Sequence, residues 1–191
     1  MYRRTLLMGL TASLAACGSR EFESPRNLDD ACALLRERPN YGRALRRAER
    51  NWNIPVPNMM ATIHQESRFD GDIRPPFRYA LGVIPMGRQS SAIGYSQALD
   101  GTWDEYIEDT GNRGADRTDI RDATDFMGWY MNLTLERNGV ALDDVRRQYL
   151  AYHEGHTGYS RQSYNSKPWL LDVARRVEAR AERYRQQLES C

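Results

Sequence analysis

The sequence predicts an all-α fold with at most a minor β element. Through most of the chain beyond residue 27, apolar residues recur at spacings of three and four, the signature of helices with one buried face. Cap residues, prolines and glycines interrupt that pattern at helix-length intervals. No run of alternating apolar and polar residues appears, and neither does an internal repeat or a low-complexity tract.

The first residues are a targeting segment rather than part of that fold. Arg3 and Arg4 precede a short apolar run over residues 6–16, too short to span a bilayer and without a following stop-transfer pattern. Leu14-Ala15-Ala16-Cys17 closes it and resembles the lipobox of bacterial lipoproteins, in which the cysteine becomes the lipidated first residue of the mature chain. The alternative is an ordinary secretory peptide with Cys17 incidental. The arginine pair also resembles a twin-arginine signal, so the export route stays open. The resemblance implies a periplasmic protein held on a membrane by its lipid, and Gly18 in place of an aspartate implies the outer membrane. Residues 1–16 are thus a signal peptide, 17–27 a lipidated cysteine and short tether, and 28–191 one domain.

Helices are expected next over residues 28–37, capped by Asn27 and ended by Pro39, and over 41–52 with Ala44, Leu45 and Ala48 inward. Ile54-Pro55-Val56-Pro57 turns the chain into a third, which carries Glu66. Residues 70–91, rich in proline and glycine, form a long connection. It reads either as a lid or groove wall, through Phe77, Arg78 and Tyr79, or as an irregular surface loop. Further helices follow over 96–109, over 119–138 with Ile120, Ala123, Met127, Tyr130, Met131 and Leu135 inward, and over 143–154, stopped by Gly155. In the last, Leu170, Ala174, Val177, Ala181, Tyr184 and Leu188 form a seam of fewer than three heptads. That is too short for an independent coiled coil and suits packing against its own domain.

Composition narrows the function. Of 191 residues, 27 are Lys or Arg and 26 Asp or Glu; the formal net charge of +1 falls to −1 without Arg3 and Arg4. No basic block remains, which argues against nucleic-acid binding. Lys167, the single lysine, suggests no role. Cys32 and Cys191 either pair in an oxidising compartment or remain two free thiols.

Glu66 is the most informative residue. At about 100° per residue it falls among Met59, Thr62, Ile63 and Phe69, while Ala61, His64, Gln65 and Arg68 take the other side. A carboxyl on the apolar face must be paired, protonated or open to a cleft. Burial raises its pKa, and a carboxylic acid still protonated near neutral pH is what a general acid requires. The competing reading is a helix-end glutamate satisfied by Ser67 or Arg68.

Glu66-Ser67 is followed by Ala92-Ile93-Gly94-Tyr95-Ser96-Gln97 and by Ala151-Tyr152-His153-Glu154-Gly155. These three motifs in order, behind a signal peptide and amid helices, resemble the SLT-type lytic transglycosylases, lysozyme-like helical enzymes that cut bacterial peptidoglycan. The resemblance spans residues 51–159 and implies a goose-lysozyme-like fold, glycan strands as substrate and no cofactor. It implies that Glu66 protonates the glycosidic oxygen and then takes the proton of the muramic 6-hydroxyl, leaving a 1,6-anhydro end without consuming water. Ser67 and Gln97 would position the acid or the substrate, Tyr152 would place a hydroxyl near Glu66, Tyr95 would contact sugar, and Tyr159 would serve as the late tyrosine. Tyr95 and Tyr152 also suit plain core roles. Tyr95 and Ser96 replace the usual Leu and Met, and His153 replaces the usual Asn, which leaves that position's hydrogen bond open.

Two other chemistries compete. A second carboxylate among Asp70, Asp72, Asp100 and Asp104 would permit a hydrolytic muramidase, although capping or solvation is the commoner use of such residues. A glycan-binding or scaffolding lipoprotein with a cell-wall machinery partner would need no acid. His153-Glu154-Gly155-His156 misses the i, i+4 spacing of a zinc-protease helix by one residue, so no metal is expected.

Overall fold

The computed structural model describes residues 22–191. The expected signal segment and Cys17 lie outside the described residues. Within them the order is α1 (Ala31–Glu37), α2 (Pro39–Trp52), α3 (Val56–Ser67), β1 (Phe77–Ala80), β2 (Ile84–Arg88), α4 (Asp100–Thr110), α5 (Ile120–Asn138), α6 (Val145–Ser160) and α7 (Pro168–Leu188). The strands form a single antiparallel hairpin, and a 3-10 turn, Ser163–Ser166, leads into α7.

The helices share one core. α2 packs on α5, α3 on α7, and α6 on both α5 and α7. Eight successive residues of α3, from Val56 to Ile63, are buried, which makes it the central helix, and Ala61 is as enclosed as Met59 despite its assignment to the polar side. A helix apolar on all sides is one surrounded by neighbours. Trp103, Tyr106, Phe126, Trp129 and Tyr130 interlock at ring separations of 5.2 to 6.2 Å, joining α4 to α5. The α7 seam from Leu170 to Tyr184 is buried against α3 and α6, and Cys32 and Cys191 form a disulfide that fastens α1 to the chain's end.

Several boundaries differ from expectation for local reasons. Asp30, not Asn27, caps α1 by accepting from the Ala33 amide at 2.9 Å, while the Asn27 side chain accepts from Asp29 in a turn just before it. Pro39 both ends α1 and opens α2, where its missing N–H costs nothing. α4 starts at Asp100 because Gln97, at φ 50°, belongs to a turn. Leu135 is exposed and Thr134 takes the buried position instead. The 70–91 connection holds the hairpin, whose strands are exposed on both faces and so carry no alternation for a sequence to display. Gly155 does stop the regular helix, but only as a break: at φ 73° and ψ 158°, a conformation essentially restricted to glycine, it kinks α6 and the helix resumes to Ser160.

Candidate active site

The site forms where the end of α3, the middle of α6 and the 93–98 turn meet. α3 ends abruptly, with Arg68 and Phe69 at φ 53° and 61°, both in the left-handed region. Such a pair is costly for non-glycine residues and holds only when packing fixes it. Phe69 supplies the packing, fully buried and stacked on Tyr41 at 5.8 Å. Glu66 thereby stands in the last turn of α3, two residues before a rigid reversal of the chain.

Glu66 is partly buried, and its pKa is pushed up from 4.5 to about 7 by desolvation, partly offset by a hydrogen bond from Tyr149. Neither Ser67 nor Arg68 satisfies it. The Ser67 hydroxyl, 1% exposed, donates to the Ile63 carbonyl at 3.1 Å, and Arg68 points to solvent. No cation and no second carboxylate contributes to the shift. The four aspartates considered for that role sit elsewhere: Asp70 accepts from the Asp72 amide, Asp72 pairs with Arg74, Asp100 with Arg117, and Asp104 is exposed on α4.

Tyr149 and Tyr152 stand one turn apart on α6 and face Glu66. Burial raises both phenols, and the Glu66 charge raises them further. Tyr152 donates to the Ser96 carbonyl at 2.7 Å, tying α6 to the 93–98 turn. That turn is tightly specified. Gly94 has φ 76°, and a Cβ there would lie 2.1 Å from the Arg117 carbonyl oxygen. Gln97 donates its amide to the Ile73 and Gly94 carbonyls at 3.1 and 2.9 Å, so it braces the turn. The Ser96 hydroxyl is fully buried and has no hydrogen-bond partner among the described residues.

Not every expected residue reaches this site. Tyr95 does not offer a ring to sugar: it is 2% exposed, shares a hydrogen bond with Tyr41 at 3.0 Å, and presses on Gly71, where a Cβ would lie 2.6 Å from it. His153 bonds through Nδ1 to Glu154 at 3.1 Å and sets its ring edge against Trp169. His156, beyond the kink, stacks on Tyr130 at 4.3 Å and pairs with Thr134. Tyr159 lies against Tyr164 and feels Arg147 and Asp144, not Glu66.

Glu154 is the second enclosed glutamate. Burial alone would raise its pKa, but Lys167 at 2.7 Å, Ser163 and His153 hold it down at about 2. The single lysine is therefore structural, and it pins the segment after the kink to α6. Sequence reading overlooked Tyr149 as well, although its i, i+3 spacing from Tyr152 places both on one face. A cavity of about 530 Å³ beside the disulfide, lined by Cys32, Leu35, Arg46, Glu49, Val56 and Leu188, is a different place. It sits at the Val56 end of α3, about 15 Å along the helix from Glu66.

The chain matches the profile of the Transglycosylase SLT domain over residues 5–191. No curated protein matches it.

Proposed function

Since this chain belongs to the SLT transglycosylase family, whose members act on peptidoglycan, we propose that it is a lytic transglycosylase with Glu66 as general acid and then general base. The observation that carries this reading is a carboxyl raised to about 7 by burial, with a phenol as its hydrogen-bonding neighbour and no partner charge. Near neutral pH such a group is present in both protonation states, as a residue that first gives and then takes one proton must be.

The reaction balances without water. Glu66 gives its proton to the oxygen linking the muramic C1 to the next glucosamine, and the C1–O bond breaks. The N-acetyl group shelters the positive centre. The Glu66 carboxylate then takes the 6-hydroxyl proton while O6 bonds to C1, which closes the 1,6-anhydro ring and restores the acid. Tyr149 favours the carboxylate in the second half, and Tyr152, locked to Ser96, holds that wall of the site. The muramidase alternative draws less support, because a hydrolase of the usual two-carboxyl kind needs a second carboxyl near the bond, and none is among the groups that shift Glu66.

The expected place of action is the periplasmic side of the outer membrane, with the protein anchored through Cys17. Digestion of purified peptidoglycan by the protein and by Glu66→Gln, read by mass spectrometry, tests the activity. Anhydro-muramic ends that vanish in the variant support it. Reducing muramic ends identify a hydrolase, and an absence of products from both proteins favours a binding role. Labelling with a radioactive fatty acid, lost in Cys17→Ser, tests the anchor.

A further inference from the structure

We infer that the β1–β2 hairpin is a membrane-docking wedge that inserts its tip into a phospholipid surface with anionic headgroups.

The hairpin is built against the rules of a folded surface. Leu81 and Val83 at its tip are 90% and 76% exposed, and Ile84, Met86, Phe77 and Tyr79 are exposed behind them. Strand β1 packs on β2 and on no other helix or strand to a comparable extent. Bare two-stranded hairpins are at best marginally stable in water, and contiguous apolar patches on a lone element mark an interaction surface. The turn makes the same point. Leu81 and Gly82 have φ 52° and 75°, positions that favour Asn, Asp or Gly. A leucine at the first is unfavourable in backbone terms and buries nothing in return. Its side chain is therefore suited to something outside the fold.

Chemistry selects the occupant. Between residues 73 and 99 the chain has three arginines, Arg74, Arg78 and Arg88, and no acid. Arg88 lies over the Phe77 ring at 4.4 Å and donates to the Pro75 carbonyl at 2.7 Å, at the hairpin's base. Neither Arg78 nor Arg88 pairs with an acid among the described residues. An aliphatic tip backed by aromatic rings and arginines at one level, with Arg78 between Phe77 and Tyr79 and Arg88 opposite Phe77, suits acyl chains at the tip and the interface and headgroups behind it.

Position agrees with chemistry. The Phe22 carbonyl accepts from the Gly71 amide at 2.9 Å, and Phe22 and Arg74 line one cavity at the hairpin's base. Cys17 is five residues upstream, so an extended chain reaches at most about 18 Å from there. A lipid on Cys17 and the hairpin can thus meet the same bilayer. This positional argument rests on the proposed anchor, while the hairpin's own chemistry does not. A single acyl chain binds membranes only marginally, and a second contact makes attachment stable.

The test uses the full chain carrying Cys17→Ser and Val83→Cys, with an environment-sensitive fluorophore on the new thiol, and vesicles of phosphatidylethanolamine and phosphatidylglycerol. The expected result is a blue shift on vesicles, quenching by shallow nitroxide lipids, and a drop of roughly tenfold or more in vesicle affinity with Leu81→Ser and Met86→Ser. Salt or neutral lipid should weaken the binding, and cleavage of soluble glycan strands should change by less than about twofold. An emission that ignores vesicles overturns the inference. So does a shift produced by glycan strands instead, which would make the hairpin a groove wall. Both readings are independent of whether Glu66→Gln abolishes cleavage.

Discussion

Glu66 and Glu154 are two glutamates enclosed by the same fold and driven in opposite directions. Both lie near helix breaks, Glu66 before the left-handed end of α3 and Glu154 before the Gly155 kink of α6. Burial raises each, yet Glu66 stands at about 7 and Glu154 at about 2. The difference is what surrounds them: a phenol in one case, and an ammonium, a hydroxyl and an imidazole in the other. Enclosure alone does not mark a reactive acid. Enclosure without a cation leaves an acid whose ionisation the fold opposes, which is the state proposed for a proton donor at Glu66.

The sharpest way to break the comparison is Glu66→Gln. Loss of a general acid typically costs 10² to 10⁴ in rate; in the proposed reaction one group serves both halves, so a loss of about 10³-fold or more in peptidoglycan cleavage is expected. Stability should move the other way. Because the pKa of Glu66 rises on folding from 4.5 to about 7, its ionisation opposes the fold increasingly between those values and fully above them. Glu66→Gln should therefore be more stable than the parent by about 3 kcal/mol at pH 8 and equal to it at pH 4. Thermal unfolding at both pH values measures this. A variant that is less stable at pH 8 would show that the carboxylate is satisfied after all.

Glu154→Gln probes the other member, with a smaller effect. Its depressed pKa stabilises the fold above 4.5, and the contribution is lost as pH falls toward about 2. Lys167 is 38% exposed, so solvent discounts the pairing. A loss of about 2 kcal/mol at pH 7 that shrinks toward pH 3 is expected in denaturant titrations. Cleavage should persist at a temperature where the variant is folded. If Glu154→Gln abolished cleavage while folded, the reactive acid would be in the wrong place.

Much of this contrast was legible in residues alone, and the rest was not for identifiable reasons. Glu66 announced itself because Met59, Thr62, Ile63 and Phe69 define the buried face by period, and all four are enclosed. The seven helices among the described residues were readable from their apolar seams, although the cap of α1 is Asp30 and not Asn27. The hairpin was not, since strands exposed on both faces have no alternation to detect. Tyr95 misled because a motif gives order along the chain but not side-chain direction, and Tyr41 holds that ring inside. Glu154 looked like motif filler and Lys167 like an isolated charge. They are thirteen residues apart, and only the kink at Gly155 and the turn after it bring them together.

Tyr149→Phe is the mildest perturbation and the one that tests what the phenol does. Its hydrogen bond lowers the pKa of Glu66, so removing it should raise that pKa further. Glu66 then becomes a weaker acid for the first half of the proposed reaction and a stronger base for the second, while its protonated form persists to higher pH. The alkaline limb of cleavage, which falls as Glu66 deprotonates near 7, should move upward by less than about one unit. Because the two halves oppose each other, the rate at pH 7 should drop by less than about tenfold. A pH profile of kcat/KM reads both quantities. A loss beyond about 100-fold with the limb unmoved would mean that the phenol itself carries the proton. Glu66 would then lose its standing as sole acid, and the contrast with Glu154 would describe burial rather than catalysis.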